Sequence, residues 1–342
     1  MAQIETTESC YILDEHGVPV KFGWARKPLF TYNHTFVRAP MRRVTASDRY
    51  IVFSSDHLIL TEILDGGFLG YVGITVMSFK DKKRSSGSIT VPFSLGSFNL
   101  SDSSESGSVR IQQKHFSIDF IAMDGGSRIL KIDIPRFSHN RGLRGAIILT
   151  PPPDAESIIT AMPWRGQKNA FQYTRRSPWY IAEGVMQLGR SELVFSKDKA
   201  WGIFDWNRTV RPDMDVRYWA GGCGLAGDTQ VSFSVGYGSA DNGSGTENAF
   251  FVGGKLIKLD QVTFHINPGK WLDPWRFTSN DRRLEMNFVP EMERTERHRM
   301  LFHYLRRRQV FGRFSGKVVL DDGRELSFQN IIGFAERKKT RY

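Results

Sequence analysis

The stretch that decides the fold, Trp201–Gly224, reads WGIFDWNRTVRPDMDVRYWAGGCG. Aromatic rings and charged side chains stand close together in it, and it ends in a cluster of glycines. Because an enclosed charge needs a partner, a segment of this composition does not form an ordinary apolar core. It predicts the wall of a cavity or the seam between two halves of the protein. The alternative is a structural joint whose tryptophans are core and whose Asp205 pairs with Arg208 or Arg211.

Short runs rich in β-branched and aromatic residues extend on both sides of this stretch. The run His115–Ile121 (HFSIDFI) alternates apolar with polar residues, which is the period-two pattern of a half-buried strand. The segments Asp65–Gly67 and Asp124–Gly126 are hairpin-turn sequences. Segments with helical caps and a 3.6-residue apolar period are rare. The sequence therefore predicts an all-β fold of sequential antiparallel strands.

Three segments fit this pattern less well. Asp81–Ser88 and Ser101–Ser108 contain no apolar residue to anchor them, so they are predicted to be surface loops. Pro290–Gln309 has no Gly or Pro after its first residue and is compatible with a basic helix. Met300, Phe302 and Tyr304 nevertheless stand at every second position, as on one face of a strand, which favours a strand slightly.

The length of 342 residues exceeds that of most single hydrophobic cores, which stop growing near ~250–300 residues. Two halves are therefore predicted. The prolines Pro151–Pro153 end a strand, and a more variable stretch follows them. We place the boundary near residue 175, which gives an N-terminal half, residues 1–175, and a C-terminal half, residues 176–342.

The charge balance favours anionic partners, because 47 Lys and Arg against 36 Asp and Glu give a net charge of +11. No zinc-finger, RNA-binding or basic leucine-zipper pattern is present, so no specific nucleic acid is predicted. No signal peptide and no apolar run of ~18 residues is found, so no transmembrane segment is predicted. The two cysteines, Cys10 and Cys223, lie far apart, which indicates a reducing, cytoplasmic location. The sequence does not specify an oligomeric state.

Known catalytic and cofactor signatures are absent. Residues 222–227 match the dinucleotide fingerprint by letter, but a strand-like run follows where pyrophosphate binding needs a helix N-terminus. The chain has no Walker A loop, no His-Glu-x-x-His and no Gly-x-Ser-x-Gly motif. Its eight histidines are scattered. We therefore predict neither a metal nor another cofactor.

Two carboxylates are the candidate catalytic residues. Asp205 lies between Phe204 and Trp206, and Glu247 follows a glycine-rich loop. A carboxyl enclosed by aromatic rings has its charged form disfavoured, so it can stay protonated near neutral pH and act as a general acid. The alternative is structural: Asp205 caps a turn or pairs with an arginine, and Glu247 pairs with Lys258.

A candidate binding rim lies near the N-terminus. Gly23 and Pro28 bracket Trp24, Arg26 and Lys27, so the backbone turns while it presents one indole and two cations. Such a rim can hold a carboxylate or phosphate by charge, with the indole as a platform. The alternative is an exposed turn whose tryptophan packs on the core.

These motifs together resemble one protein family. The residues that carry the resemblance are Phe22–Leu29 with Tyr32 and Asn33, Asp205, Trp206 and Arg208, Trp219 and Ala220, Glu247 and Asn248, Gly254–Lys258, Phe311 and Gly312, and Gly333, Phe334 and Glu336. They are similar to the family called domain of unknown function 2804 over nearly the whole chain. Thr209 departs from the glycine expected there. The family carries no catalytic residues over, because none has been assigned to it.

A more distant similarity links the chain to tandem lipocalin-like proteins, the group of carotenoid hydratases and lipocalin-type cyclases. It implies two calycin-like halves, each an antiparallel β-barrel or bent sheet, with a ligand in a barrel mouth or between the halves. This likeness is at the level of the fold and is a weak guide to function.

The expected function is binding of a largely apolar small molecule with an anionic or carbonyl end. If the chain is an enzyme, Asp205 or Glu247 would protonate the ligand during hydration, isomerisation or cyclisation, without metal or nucleotide. The alternatives are a lipid or isoprenoid carrier and a carbohydrate-active protein. The predicted ligand-binding residues are Trp24, Arg26, Lys27, Tyr32, Asn33, Tyr173, Arg175, Trp206, Arg208, Trp219 and Asn248.

Overall fold

The computed structural model describes residues 3–164, 166–238, 240–241, 243–300 and 303–341. Within these ranges the regular elements are β-strands, apart from three short 3₁₀ turns at His34–Phe36, Met41–Arg43 and Asp124–Gly126. The strands of the two large sheets pair in antiparallel fashion. The all-β prediction is confirmed.

The chain forms two compact units. The larger comprises Met1–Ala39, Asp154–Trp179 and Thr209–Tyr342, and the smaller comprises Pro40–Pro153 and Tyr180–Arg208. Each unit is therefore assembled from separated stretches of chain. Strand β13 (Gln167–Leu188) runs without a break through residue 175, the position at which the sequence analysis places the boundary.

The larger unit contains a nine-stranded sheet and a few short strands. Its strands are β1 (Cys10–Tyr11), β2 (Gly23–Ala25), β3 (Phe30–Thr31), β12 (Ile158–Trp164), the first part of β13, β16 (Met214–Ala226), β17 (Thr229–Gly238), β18 (Ala249–Val252), β19 (Lys255–Lys258), β20 (Val262–His265), β21 (Trp275–Ser279), β22 (Leu284–Met300), β23 (His303–Val319) and β24 (Glu325–Arg341). The sheet order is β19-β18-β17-β16-β24-β23-β22-β21-β20, and β2 pairs with β12, which pairs with β13.

This nine-stranded sheet is curled. The rings of Tyr237 on β17 and Phe264 on β20, strands that are not neighbours in the sheet order, have centroids 5.2 Å apart. The enclosed core is rich in aromatic residues, and Phe288 stacks on Phe314 at 4.1 Å. Aromatic side chains bury large apolar areas, so the concave face of the sheet supplies much of the stability of this unit.

The smaller unit is a second curled sheet. Its strands are β4 (Val44–Phe53), β5 (His57–Asp65), β6 (Leu69–Ser78), β7 (Lys83–Pro92), β8 (Val109–Gln113), β9 (Phe116–Ala122), β10 (Arg128–Ile134), β11 (Leu143–Thr150), the second part of β13, β14 (Ser191–Phe195) and most of β15 (Trp201–Val210). They follow the order β7-β6-β5-β4-β15-β13-β11-β10-β9-β8, and β14 pairs with β13. The rings of Tyr50 on β4 and Phe120 on β9 lie 4.8 Å apart, so the sheet folds over its core.

Two polar segments differ in part from the prediction. Asp81–Ser88 is not a loop, because β7 begins at Lys83 and pairs with β6. Ser101–Ser108 does lie outside the strands, but it is anchored: Arg208 Nε donates to Ser101 O at 3.0 Å, and Arg128 Nη2 donates to Ser104 O at 2.7 Å. Its anchors are backbone carbonyls, which a search for apolar side chains does not detect.

The ambiguous segment Pro290–Gln309 is strand, as the sequence slightly favoured. β22 and β23 form a long hairpin in which Pro290 faces Gly312 and Met300 faces His303. Residues 301 and 302 lie outside the described residues. The arginines of this segment alternate between the two faces of the sheet, and Arg307 is buried whereas Arg306 and Arg308 are partly exposed.

Candidate functional site

Glu247 lies between two guanidinium groups in the larger unit. Arg176, on β13, places Nη1 3.0 Å from Glu247 Oε2. Arg217, on β16, donates from Nη2 to the same oxygen and from Nε to Oε1 at 3.3 Å. Burial on its own disfavours the charged carboxylate, but Arg176 and Arg217 reverse the balance and hold the pKa of Glu247 below its usual range. Glu247 is therefore ionised at neutral pH.

Close backbone approach makes this arrangement possible. Gly236, on β17, lies against the carboxylate: a Cβ built there would come within 2.5 Å of Glu247 Oε1 and 2.7 Å of Tyr218 O. The Gly236 N–H donates to Asn248 Oδ1 at 2.6 Å, and Asn248 Nδ2 donates to Asp260 O at 2.7 Å. Position 236 thus has room only for glycine, and Asn248 fixes the backbone next to Glu247.

The ring of Trp219 packs against one of these charged groups. The Arg176 guanidinium lies over its ring at 4.1 Å, and its indole N–H donates to Ser234 Oγ at 2.9 Å. The strand register sets Trp219, Glu336, Gln309 and Arg294 directly opposite one another on β16, β24, β23 and β22. All four are buried.

This row is joined by hydrogen bonds. Gln309 Nε2 donates to Glu336 Oε2 at 2.8 Å, and Arg294 Nη1 donates to Gln309 Oε1 at 2.7 Å. Their chain neighbours Ala335 and Val310 belong to the hydrophobic core, so the polar row occupies the other face of the sheet. A buried polar row of this kind adds little net stability.

A small cavity lies next to Glu247. It has a volume of about 10 Å³, and its lining is Met162, Trp164, Gln172, Asp215, Arg217, Gly236, Tyr237, Gly238, Ala240 and Glu247. That volume holds about one water molecule. Trp164 is only 5% exposed, and its Nε1 has no hydrogen-bond partner within the described residues. A buried N–H without an acceptor is costly, and Trp164 is one of the residues that line the cavity.

Lys258 is a titratable group that the sequence analysis did not select as a site residue. Although the residue as a whole is only partly buried, its ammonium is enclosed: Nζ donates to Thr246 Oγ1 at 2.7 Å and to Asn248 O at 3.1 Å, and it lies 5.5 Å from the centre of the Trp24 ring. Burial lowers the pKa of Lys258 from 10.5 to about 7, although Asp260 and other nearby carboxylates raise it. It does not pair with Glu247, contrary to the structural alternative.

Asp205 belongs to a separate cluster in the smaller unit. Arg49 Nη2 donates to Asp205 Oδ2 at 3.0 Å, and Asn207 Nδ2 donates to Oδ1 at 2.9 Å. Arg208 donates to Asp48 Oδ1 at 2.9 Å and lies 4.3 Å from the centre of the Trp206 ring. Arg49 is the ion-pair partner that the sequence analysis missed, because it lies more than 150 residues away in the chain.

The predicted rim residues are held by contacts of their own. Arg26 pairs with Glu5 at 2.9 Å and with Glu156 at 3.2 Å, and Lys27 is exposed. Trp24 is buried between Arg26 and Lys258. The rim therefore contains one buried indole and one solvent-facing cation, while its arginine already has carboxylate partners.

The remaining predicted residues lie around β3 and β13. The Tyr173 hydroxyl donates to Phe30 O at 2.9 Å, and the ring centroids of Tyr173 and Tyr32 lie 6.2 Å apart. Arg175 Nε donates to Ser157 Oγ at 3.2 Å. Asn33 Oδ1 accepts from Thr35 N, which caps a 3₁₀ turn. Of the predicted set, Trp24, Trp219, Glu247 and Asn248 lie in one connected group in the larger unit, and Asp205, Trp206 and Arg208 form a group in the smaller unit.

The decisive partners Arg176, Arg217 and Trp164 were not predicted. The sequence did contain a signal for Arg217, because this residue stands in the stretch Trp201–Gly224, two residues before Trp219. Arg176 gave no distinguishing signal, since it follows another arginine in a run of strand residues.

Within the described ranges no group of three or more His, Cys, Asp or Glu is placed to hold a metal ion. Nor does any helix in those ranges have the length and apolar character needed to cross a bilayer.

The sequence matches the family described as "Domain of unknown function (DUF2804)" over residues 3–342. No curated protein is significantly similar in sequence. A crystal structure of CghA superposes with a TM-score of 0.57 at 12% identity, covering 96% of this chain and 96% of that chain. CghA with Sch210972 gives a TM-score of 0.54 at 12% identity, covering 88% of this chain and 89% of that chain. Kievitone hydratase from Nectria haematococca superposes with a TM-score of 0.45 at 9% identity, covering 87% of this chain and 88% of that chain.

The family match and the CghA structures confirm both parts of the predicted resemblance. The chain shares the tandem lipocalin-like, all-β fold, with one curled antiparallel sheet in each unit. At 12% identity this similarity concerns the fold alone.

Proposed function

We propose that this chain, which belongs to the DUF2804 family, binds a small, largely apolar molecule through an anionic or carbonyl end. The site is the cavity beside Glu247 in the larger unit. Its apolar walls are Met162, Trp164 and Tyr237. Its polar end is the Arg217 guanidinium, and the Trp164 indole N–H is a second donor.

The observation that carries the proposal is that Trp164, whose indole N–H has no partner within the described residues, lines the same cavity as the partly buried Arg217 guanidinium. Both groups are donors, so together they suit an oxygen atom that carries or develops negative charge. Glu247 orients Arg217 through hydrogen bonds from its Nε and Nη2. These donors are thus held in place for the oxygen of a carboxylate or carbonyl group, although Asp215 also lines the cavity, and the walls suit an apolar body.

The cavity has room for about one water, so a larger guest requires a side-chain movement. Trp164 and Tyr237 are the aromatic residues of the lining. Rotation of either ring would extend the cavity without breaking the ion pairs of Glu247. Binding should therefore change the fluorescence of Trp164.

The fold supports small-molecule binding, because CghA was crystallised with Sch210972. If this chain also performs chemistry, we expect Arg217 and the Trp164 N–H to stabilise negative charge on a carbonyl oxygen during hydration, isomerisation or cyclisation. Glu247 is ionised, so it would accept a proton or orient Arg217 and not supply the first proton. Asp205, in the smaller unit, stays a proposed acid whose test is Asp205→Asn on an identified substrate.

A second candidate is a carrier that binds the same class of ligand without chemistry. The lowered pKa of Glu247 favours it, because this carboxyl is not available as a neutral acid at physiological pH. Native mass spectrometry of freshly purified protein separates the two functions. A co-purified apolar molecule recovered unchanged indicates a carrier, whereas a mixture of substrate and product indicates an enzyme.

The binding proposal is tested with trans-cinnamate and cinnamyl alcohol, which share a carbon skeleton and differ in the anionic end. Tryptophan fluorescence titration should show that cinnamate binds more tightly than the alcohol. Arg217→Gln should abolish that preference. The control is Arg276→Gln, which removes an arginine of the same unit that pairs with Glu285 at the surface. Equal affinity for the two probes in the wild type, or equal effects of the two substitutions, would contradict the proposal.

A further inference from the structure

A second cleft lies in the smaller unit, where β10 and β13 end and β11 begins. It has a volume of about 250 Å³, and its lining includes Asp133, Pro135, Arg141, Leu143, Arg144 and Gln187. At ~30 Å³ per water molecule, it holds about eight waters. This size suits a ligand somewhat smaller than a typical drug. Nothing in the proposed function uses this cleft.

The strand register places three of its polar side chains in one row. Arg144 on β11 lies opposite Asp133 on β10 and opposite Gln187 on β13. Within the described residues no ion pair joins Arg144 to Asp133, and the Arg144 guanidinium donates no hydrogen bond. Its five donors are therefore available to a ligand.

Arg141 is held in place by contacts that leave part of it unused. Its Nε donates to Ser138 O at 3.2 Å, and its Nη2 donates to Ser85 Oγ at 2.6 Å. A planar guanidinium fixed at these two nitrogens has its Nη1 donors left over. Because this side chain is already ordered in the free protein, ligand binding loses less conformational entropy there, which favours binding.

The same cleft also offers acceptors. Gln187 Nε2 donates to Gly189 O at 3.2 Å, which leaves its Oε1 as an acceptor. The Asp133 carboxylate is exposed and has four acceptor sites. An anion without hydroxyl groups would bind the arginines but would be repelled by Asp133. An anion that also carries hydroxyl groups could donate hydrogen bonds to the Asp133 carboxylate and to Gln187 Oε1.

We propose that this cleft binds a small polyhydroxylated anion, a sugar phosphate or a sugar acid. Arg141 and Arg144 hold its anionic group, since guanidinium groups match phosphate and carboxylate in geometry. Asp133 and Gln187 accept hydrogen bonds from its hydroxyls. The excess of positive charge on the chain assists the approach of such a ligand.

The test uses glucose 6-phosphate, glucose and inorganic phosphate as probes, with binding followed by isothermal titration calorimetry at physiological ionic strength. Glucose 6-phosphate should bind at millimolar concentration or better, and more tightly than either of its parts. Arg144→Gln should weaken it about tenfold, the effect of losing charge-assisted hydrogen bonds. Asp133→Asn should weaken glucose 6-phosphate but strengthen inorganic phosphate.

Arg110→Gln is the matched control. Arg110 is also an exposed strand arginine opposite an aspartate, Asp119, but it does not line the cleft. It should leave the affinity for glucose 6-phosphate unchanged within twofold. Equal losses for Arg144→Gln and Arg110→Gln would show general charge attraction and overturn the proposal. So would binding of inorganic phosphate as tight as that of glucose 6-phosphate, or no heat signal with any probe at millimolar concentration.

Discussion

The two buried carboxylates of this protein, Glu247 and Asp205, have similar sequence surroundings and different structural ones. Each precedes or lies among aromatic residues, and each is almost fully buried. Glu247 is bonded to Arg176 and Arg217 and borders a cavity, whereas Asp205 is bonded to Arg49 and Asn207. Enclosure by rings predicts burial correctly in both cases, but the charge of a buried acid depends on partners from distant strands.

This difference has a direct consequence for chemistry. An acid in an apolar pocket stays protonated only if no cation compensates for desolvation. At Glu247 two guanidiniums do compensate, so the carboxylate organises donors for an anionic ligand. The arginines, and not the acids, are therefore the residues that determine ligand preference in the proposal.

The largest expected effect comes from removing the charge of Glu247. Glu247→Gln leaves the buried Arg176 and the partly buried Arg217 without their counter-ion, and we expect it to lower the free energy of unfolding by about 3–5 kcal/mol. Asp205→Asn should cost less, because Arg49 is the guanidinium that loses its counter-ion there, whereas Glu247→Gln affects two. Urea-induced unfolding of both variants, followed by circular dichroism, measures the difference.

The pH dependence of the same variant provides its control. The pKa of Glu247 is lower in the folded chain than in the unfolded chain, so its stabilising effect is present above the unfolded value and is lost as pH falls through the folded one. The stability gap between wild type and Glu247→Gln should therefore narrow in acid. A gap that is constant with pH, or a larger cost for Asp205→Asn, would contradict the contrast drawn between the two acids.

Much of the fold was predictable from local sequence. The alternation in HFSIDFI places Phe116, Ile118 and Phe120 in the core, as the structure confirms. Period-two patterns and Gly-rich turns are short-range signals, so they can be recognised in the sequence without knowledge of the tertiary structure. The first part of strand β7, Lys83–Ser88, was missed because its residues are polar and largely exposed, which gives a pattern with no apolar face.

The site was less predictable, because its geometry depends on register between distant strands. Glu247, Asn248 and Trp219 stand in conspicuous sequence contexts, and the structure places them in one group. Arg176 and Trp164 lie on β13 and β12, and only the pairing of these strands and the path of β13 bring them near residues more than 70 positions later. No local pattern encodes that contact.

A smaller effect is expected at Lys258, which belongs to the same group as Glu247 but titrates near neutral pH. Its pKa is about 7 in the folded chain against 10.5 for a solvated lysine, so between these values the unfolded chain binds more protons. Stability should therefore rise with pH in that window, by at most about 1.4 kcal/mol per pH unit. The measurement compares wild type with Lys258→Met by urea unfolding at several pH values from neutral to alkaline. A stability difference that falls with rising pH would show that the acceptors of Nζ, which are Thr246 Oγ1, Asn248 O and Leu259 O, outweigh its burial.

The smallest effect distinguishes the two tryptophans of the site. Trp219→Phe removes an indole N–H that donates to Ser234 Oγ at 2.9 Å, which should cost about 1 kcal/mol beyond the change in ring size. Trp164→Phe removes an N–H that has no partner within the described residues, so it should cost little beyond the same change in ring size. Because both substitutions delete the same atoms, the difference between their unfolding free energies reports the hydrogen bond of Trp219 together with the contacts of its ring with Arg176 and Phe334. Trp164→Phe should nevertheless weaken cinnamate binding, since the lost N–H is the donor assigned to the ligand oxygen. A large stability loss with unchanged cinnamate affinity would instead identify Trp164 as a structural residue.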